Sequence, residues 1–152
     1  MCPSKTEITR TYTSLPSSDE FRNTHVHAFR DFDRDAVEIL NQIITRTACD
    51  IVVSSDWKTS APLEYMQKFY QQQGVVKSPI AYTTWLSGYQ TYHEQRASEI
   101  SLWIEQNPEI KQWAAVDDLY MGTWLSNFVW AKKVHLGIKD VDVQLQLHTY
   151  LE

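Results

Sequence analysis

Six residues, Trp113-Ala-Ala-Val-Asp-Asp118, constrain this chain more than any other stretch: an apolar run stops abruptly at two adjacent aspartates. A short, continuous apolar run of this kind fits a strand buried on both faces. At its carboxyl end two carboxylates repel each other and resist being desolvated together. A divalent cation relieves both penalties, because Mg²⁺ takes hard oxygen ligands and is satisfied by one or two carboxylates with water and phosphate oxygens. Asp117 and Asp118 therefore point to metal-assisted phosphate chemistry. The alternative is that one aspartate caps the following helix while the other faces solvent.

The chain has 152 residues, 43% of them hydrophobic, which is enough to bury one core and makes a single domain the default. A net charge of −5 argues against generic nucleic-acid or anionic-membrane binding. It leaves room for a nucleotide or a nucleic-acid end held at a local site. Cys2 and Cys49 lie far apart and form neither a disulfide framework nor a zinc spacing, so a reducing cytoplasm is the expected location. No apolar run approaches the roughly 18 residues of a membrane span, and the N-terminus lacks a signal-peptide pattern.

Residues 1–31, rich in Ser, Thr, Arg and Asp, read as an irregular lead-in, with Glu7–Thr13 as a short strand candidate. Asp33 fits an N-cap, and Val37, Leu40 and Ile44 follow at helical spacing, giving a helix over about 34–47. Cys49–Ser54 reads as a buried strand. Pro62 suits the first turn of a second helix that carries Leu63, Met66 and Tyr70 and ends at Gly74. Ile80–Thr84 is a strand candidate, a helix over about 94–106 stops at Asn107-Pro108, and strands follow at 112–117 and 128–131. Over 141–147, Val141, Val143, Leu145 and Leu147 alternate with polar residues, which favours a strand by period, with a terminal helix as the alternative. Helices alternating with short apolar strands indicate an α/β sandwich with a largely parallel sheet, occupying residues 32–152. In such sheets ligands bind at the carboxyl ends of the strands, where Ser54 and Asp117 both fall.

An ordered set of segments now becomes informative. It comprises Phe32-Asp33, Leu40-Asn-Gln-Ile43, Ile51-Val-Val-Ser-Ser-Asp-Trp-Lys58, Arg96-Ala-Ser-Glu-Ile100 with Trp103, Asn107-Pro108, Val116-Asp-Asp118 and Gly137-Ile138. Across residues 32–140 the chain resembles the haloacid-dehalogenase-like (HAD) superfamily, in particular a small bacterial and phage-type group. The resemblance implies a Rossmann-like three-layer sandwich with a mostly parallel sheet and four motifs meeting at its edge. Ser54 or Ser55 matches the hydroxyl that hydrogen-bonds the phosphoryl group. Lys58 or Arg96 matches the cation that neutralises it, and Arg96 fits better because a guanidinium can grip phosphate with a bidentate fork. Asp117 and Asp118 match the acidic pair that holds Mg²⁺. The implied activity is that of a Mg²⁺-dependent phosphatase acting on a small phosphorylated substrate or a nucleic-acid terminus, since relatives of this group occur in RNA-repair proteins.

The first motif is missing. The family opens with an apolar strand running into Asp-x-Asp-Gly, and no Asp-x-Asp-Gly occurs here. Asp31-Phe-Asp33-Arg-Asp35 lacks the glycine and a preceding apolar strand, and Asp33 is already accounted for as a cap. Glu7 is the only acid near the vacant position, and its longer side chain would misplace the attacking oxygen; an error of about 1 Å can cost a hundredfold in rate. Either the chain is a truncated or mis-started product, or it is a degenerate member that keeps a phosphate-binding edge without catalysis. In both cases the expectation is a poor phosphatase, or a non-catalytic phosphate- or protein-binding module. Because the family's first strand lies between those ending in Ser54 and Asp117, Glu7–Thr13, a partner chain or local strain is expected at that position.

Six tryptophans remain to be placed. Trp103 and Trp113 fit the core by pattern. Trp57 suits packing beneath its loop better than stacking on a base at the mouth of the site. Trp85 and the tyrosines at 82, 89 and 92 fall in a segment that could cover the strand edge. His25 and His27 have no ligand partners at a recognised spacing.

Overall fold

The first helix shows why the chain folds as it does. In the computed structural model, which describes residues 29–152, helix α1 spans Arg34–Thr47. The Asp33 carboxylate accepts from the Ala36 amide at 3.1 Å, satisfying one of the helix's orphan donors. Its other oxygen takes the Lys139 ammonium at 2.8 Å. Val37, Leu40, Ile43 and Ile44 form the buried stripe. Ala48 closes the helix in the left-handed region at φ 56°, its amide donating to the Ile44 carbonyl.

Strand β1 (Val52–Val53) is followed by a 3-10 turn over Asp56–Thr59 and by helix α2 (Leu63–Gln72), which buries Met66, Phe69 and Tyr70. Pro62 sits at the N-cap of α2, one position before the first turn expected for it. Strand β2 is Ala81–Tyr82, helix α3 is Tyr92–Gln106, and strands β3 and β4 are Ala115–Asp117 and Phe128–Trp130. A 3-10 turn at Gly137–Lys139 leads into helix α4, Val141–Leu151.

Helix α4 corrects the strand favoured by alternation at 141–147. Asp140 caps it by accepting from the Asp142 amide, and the buried residues are Val143, Leu147 and Leu151, each four apart. Val141 and Leu145 are exposed, so half of the apparent alternation is surface. With the cap in place, the helical period wins over the two-residue one.

The strands pair in parallel, β1 with β2 (Val52 opposite Ala81) and β3 with β4 (Val116 opposite Val129). Among the described residues these are two separate two-stranded sheets, and no strand joins β1 to β3. Glu7–Thr13 and His25 and His27 lie outside the described residues. Side chains alternate across the strands, as both-sided burial requires. Ile51, Val53, Val116 and Val129 join α1, α2 and α4 in the main core, which therefore spans both strand pairs. Facing the other way, Ala115 packs with Ala97 and Ile100 of α3, and Val52 packs with Trp103. Phe29 stacks on the buried Trp57 at 4.4 Å between ring centroids. Trp57 is therefore a packing residue and presents no free face.

Asp33 gives a direct test of this framework. Its hydrogen bond to Lys139, with the Ala36 amide next, holds the carboxyl below its ordinary 3.8. A depressed folded-state pKa contributes stability that is present above the unfolded value and lost as pH falls through the folded one. Asp33→Ala is expected to lower unfolding free energy by about 1 kcal/mol near neutral pH. The gap from wild type, measured by urea denaturation, should narrow as pH falls below 3.8.

Candidate active site at the strand edge

Helix α3 is capped by Thr91, whose hydroxyl accepts from the Glu94 amide at 3.2 Å. Its inward stripe runs through Arg96, Glu99, Ile100 and Trp103, all buried. Two ionised side chains on such a stripe demand partners, since an unpaired buried charge is costly. Both have them, and the partners come from different strand pairs.

Arg96 Nη1 donates to Asp117 Oδ2 at 2.8 Å, and Nη2 lies 3.2 Å from Asp56 Oδ1, just beyond β1. Glu99 takes the Lys58 ammonium at 2.5 Å, with both side chains only 3% exposed. Lys58 Nζ also donates to Thr83 Oγ1 at 2.8 Å and reaches the Ser54 carbonyl at 3.4 Å. The second oxygen of Glu99 accepts from the Leu86 amide at 2.8 Å. That bond anchors the otherwise mostly exposed segment 84–91, which carries Trp85 and Tyr89.

Burial sets the proton affinities. It pushes the Lys58 ammonium below its ordinary value, against the hydrogen bond and charge of Glu99. In Arg96 burial acts the same way, but the charges of Asp117 and Asp56 outweigh it and hold the guanidinium above its ordinary value. Asp117 is 1% exposed, and desolvation raises its carboxyl to about 6. Arg96 opposes that rise, while a hydrogen bond with the Asp118 carboxyl adds to it. The other Asp117 oxygen accepts from the Leu119 amide at 2.9 Å.

The residues singled out from the sequence thus sit in one neighbourhood, in different states. Ser54 follows β1 directly, fully buried, and its hydroxyl has no hydrogen-bond partner. Ser55 accepts weakly from the Trp57 amide at 3.4 Å and caps the 3-10 turn, so its local role is structural. Arg96 is in ion-pair contact with Asp117, and Asp118 is half-buried beside it. Sequence reasoning passed over Glu99 and Asp56. Glu99 could have been found from its place three residues after Arg96, on the stripe shared with Ile100 and Trp103; Asp56 carried no such signal. Among the described residues no group of three His, Cys, Asp or Glu side chains is arranged to hold a metal, and no helix is long and apolar enough to cross a membrane.

A family model described as the HAD domain in Swiss Army Knife RNA repair proteins matches residues 9–143. The chain belongs to this family. No curated protein and no solved structure gave a significant match. Membership accounts for the α/β organisation and the parallel pairing. In this HAD domain the hydroxyl, the two cations and the acidic pair all sit at or beside the carboxyl ends of β1 and β3.

The Lys58–Glu99 pair yields a stability prediction. Glu99→Ala strands a desolvated ammonium and is expected to cost about 3 kcal/mol or more. The double variant Lys58→Met, Glu99→Leu should recover most of that loss. Denaturant titration of the three proteins gives the comparison. Additive losses would show that the charges do not act as a pair.

Proposed function

We propose that this HAD domain is of the Mg²⁺-dependent phosphohydrolase type, built as a Rossmann-like three-layer sandwich, and that it receives a phosphomonoester at the carboxyl edge of β1 and β3. The observation that carries this reading is the Ser54 hydroxyl, fully buried without an acceptor or donor. Buried polar groups in folded proteins are almost always paired, so an orphan calls for an explanation. A phosphoryl oxygen would supply the missing acceptor, beside Lys58 and Arg96, whose N–H groups are already held in place by carboxylates.

Asp117 and Asp118 fit Mg²⁺ as a pair. They are adjacent carboxyls that hydrogen-bond to one another, and burial resists ionising both without a cation. Two carboxylates completed by water and phosphate oxygens form an ordinary Mg²⁺ ligand set. When bound, the ion neutralises charge on the phosphoryl oxygens. Arg96, fixed between Asp117 and Asp56, presents its guanidinium without needing to order a flexible chain, and Lys58 is held in the same way by Glu99 and Thr83.

The family's description supports a nucleic-acid terminus as the phosphate-bearing group. Attack on phosphorus is a different matter, because the sequence contains no Asp-x-Asp-Gly to provide a nucleophile. That absence favours a second reading, in which the edge binds phosphate without turning it over.

Calorimetry with inorganic phosphate and hydrolysis of an aryl phosphate separate the two. We expect turnover near background and phosphate binding that requires Mg²⁺. Ser54→Ala should weaken that binding about tenfold without loss of stability, since the hydroxyl has no partner to lose. Binding indifferent to both Ser54→Ala and Asp118→Asn would sink the phosphate site. Hydrolysis that survives Glu7→Ala and disappears in Asp117→Ala would establish an active enzyme.

A further inference from the structure

Beside the acidic pair lies an aromatic surface that phosphate binding does not use. Tyr120 and Trp130 are each 42% exposed, yet neither is loose. The two rings meet edge to face at 5.0 Å and 71°, and Tyr120 packs likewise on Phe128 at 5.9 Å. Tyr120 lies over Gly122, where a Cβ would come within 2.7 Å of its ring, so a side chain there would push the tyrosine out of this position. His93 Nδ1 donates to the Tyr120 carbonyl at 2.7 Å, fixing the backbone from α3. Trp130 Nε1 donates to the Asp118 carbonyl at 3.1 Å, which joins this surface directly to the acidic pair.

The chemistry left open is that of a flat, electron-rich face. The indole N–H is engaged with the main chain, so Trp130 offers its π-face rather than hydrogen bonds. Lys132 Nζ stands 5.9 Å from that ring. A cavity of about 370 Å³ opens alongside, lined by Trp130, Lys132 and Lys133 and, on the helix side, by Asp140 and Asp142. This volume is in the range of small-ligand sites. Two lysines and two aspartates leave it near neutral, so stacking rather than net charge must supply the affinity. An acidic chain that excludes generic polyanion binding can still hold unpaired bases this way.

We propose that Tyr120, Trp130 and Lys132 form a stacking subsite for an unpaired base at the end of a single-stranded nucleic acid whose terminal phosphate lies at the Asp117–Asp118 edge. The proposal rests on the phosphate reading above for the position of the phosphate and on the aromatic geometry for the base. It favours single strands, because bases inside a duplex are stacked on both faces and only an unpaired end base can turn freely onto the indole. It also makes sequence preference slight, because every base presents a π-face.

Fluorescence anisotropy with labelled short single strands, RNA and DNA, with and without a terminal phosphate, tests it; the matching duplex is the control and inorganic phosphate the competitor. Trp130→Ala should weaken single-strand binding about tenfold, with Trp130→Phe retaining most of the affinity. Lys132→Ala should cost about threefold, and Gly122→Ala, by displacing Tyr120, should weaken binding with Trp130 intact. Thermal melts of each variant exclude unfolding as the cause. Equal binding by wild type, Trp130→Ala and Lys132→Ala overturns the subsite, whatever inorganic phosphate does. So does a duplex that binds as tightly as the single strand. Trp130-dependent binding that ignores both the terminal phosphate and the competitor upholds the stacking surface and overturns the phosphate reading.

Discussion

Two buried charges of opposite sign on one helix face set the geometry at the centre of this molecule. Arg96 reaches Asp117 at the end of β3 and Asp56 beyond β1, while Glu99 fixes Lys58 and the Leu86 amide. No strand among the described residues bridges β1 and β3. Alignment of the two carboxyl ends therefore relies on α3 and on the apolar core that both pairs share. Ion pairs in such a place contribute less to net stability than to geometry, because desolvation offsets much of their attraction. What they provide is registration of one strand end against another.

This registration also shapes the chemistry. Each cation at the edge is already paired with a carboxylate, so the proposed phosphate would meet preset donors and not a field of free positive charge. On that proposal, selectivity would come from shape and from the unpaired Ser54 hydroxyl more than from long-range attraction, in keeping with the chain's negative charge.

Much of the frame was legible in the residues. Asp33 marked the start of α1, Asn107-Pro108 the end of α3, and β-branched or small apolar runs the four strands, whose ends came out shorter than expected. Alternation misled at 141–147, where the capping aspartate at 140 outweighed the two-residue period. Of the paired serines, the sequence could not say that Ser55 turns back to cap its own loop while Ser54 points inward. Arg96, which looks like a surface arginine in isolation, was placed only by resemblance. Its burial follows from sharing a stripe with Ile100 and Trp103, and Glu99 lies on the same stripe. A charged residue on an apolar stripe is easily taken for noise until its partner, distant in sequence, is known.

The bond from Trp130 to the Asp118 carbonyl carries a thermodynamic corollary. One peptide unit bears both the acid facing the strand edge and the acceptor that orients the indole. A ligand resting on that ring and an ion held by that acid, both as proposed, would bias the same short piece of backbone. Any cooperativity between them has to be reciprocal: the factor by which the first tightens the second equals the factor by which the second tightens the first.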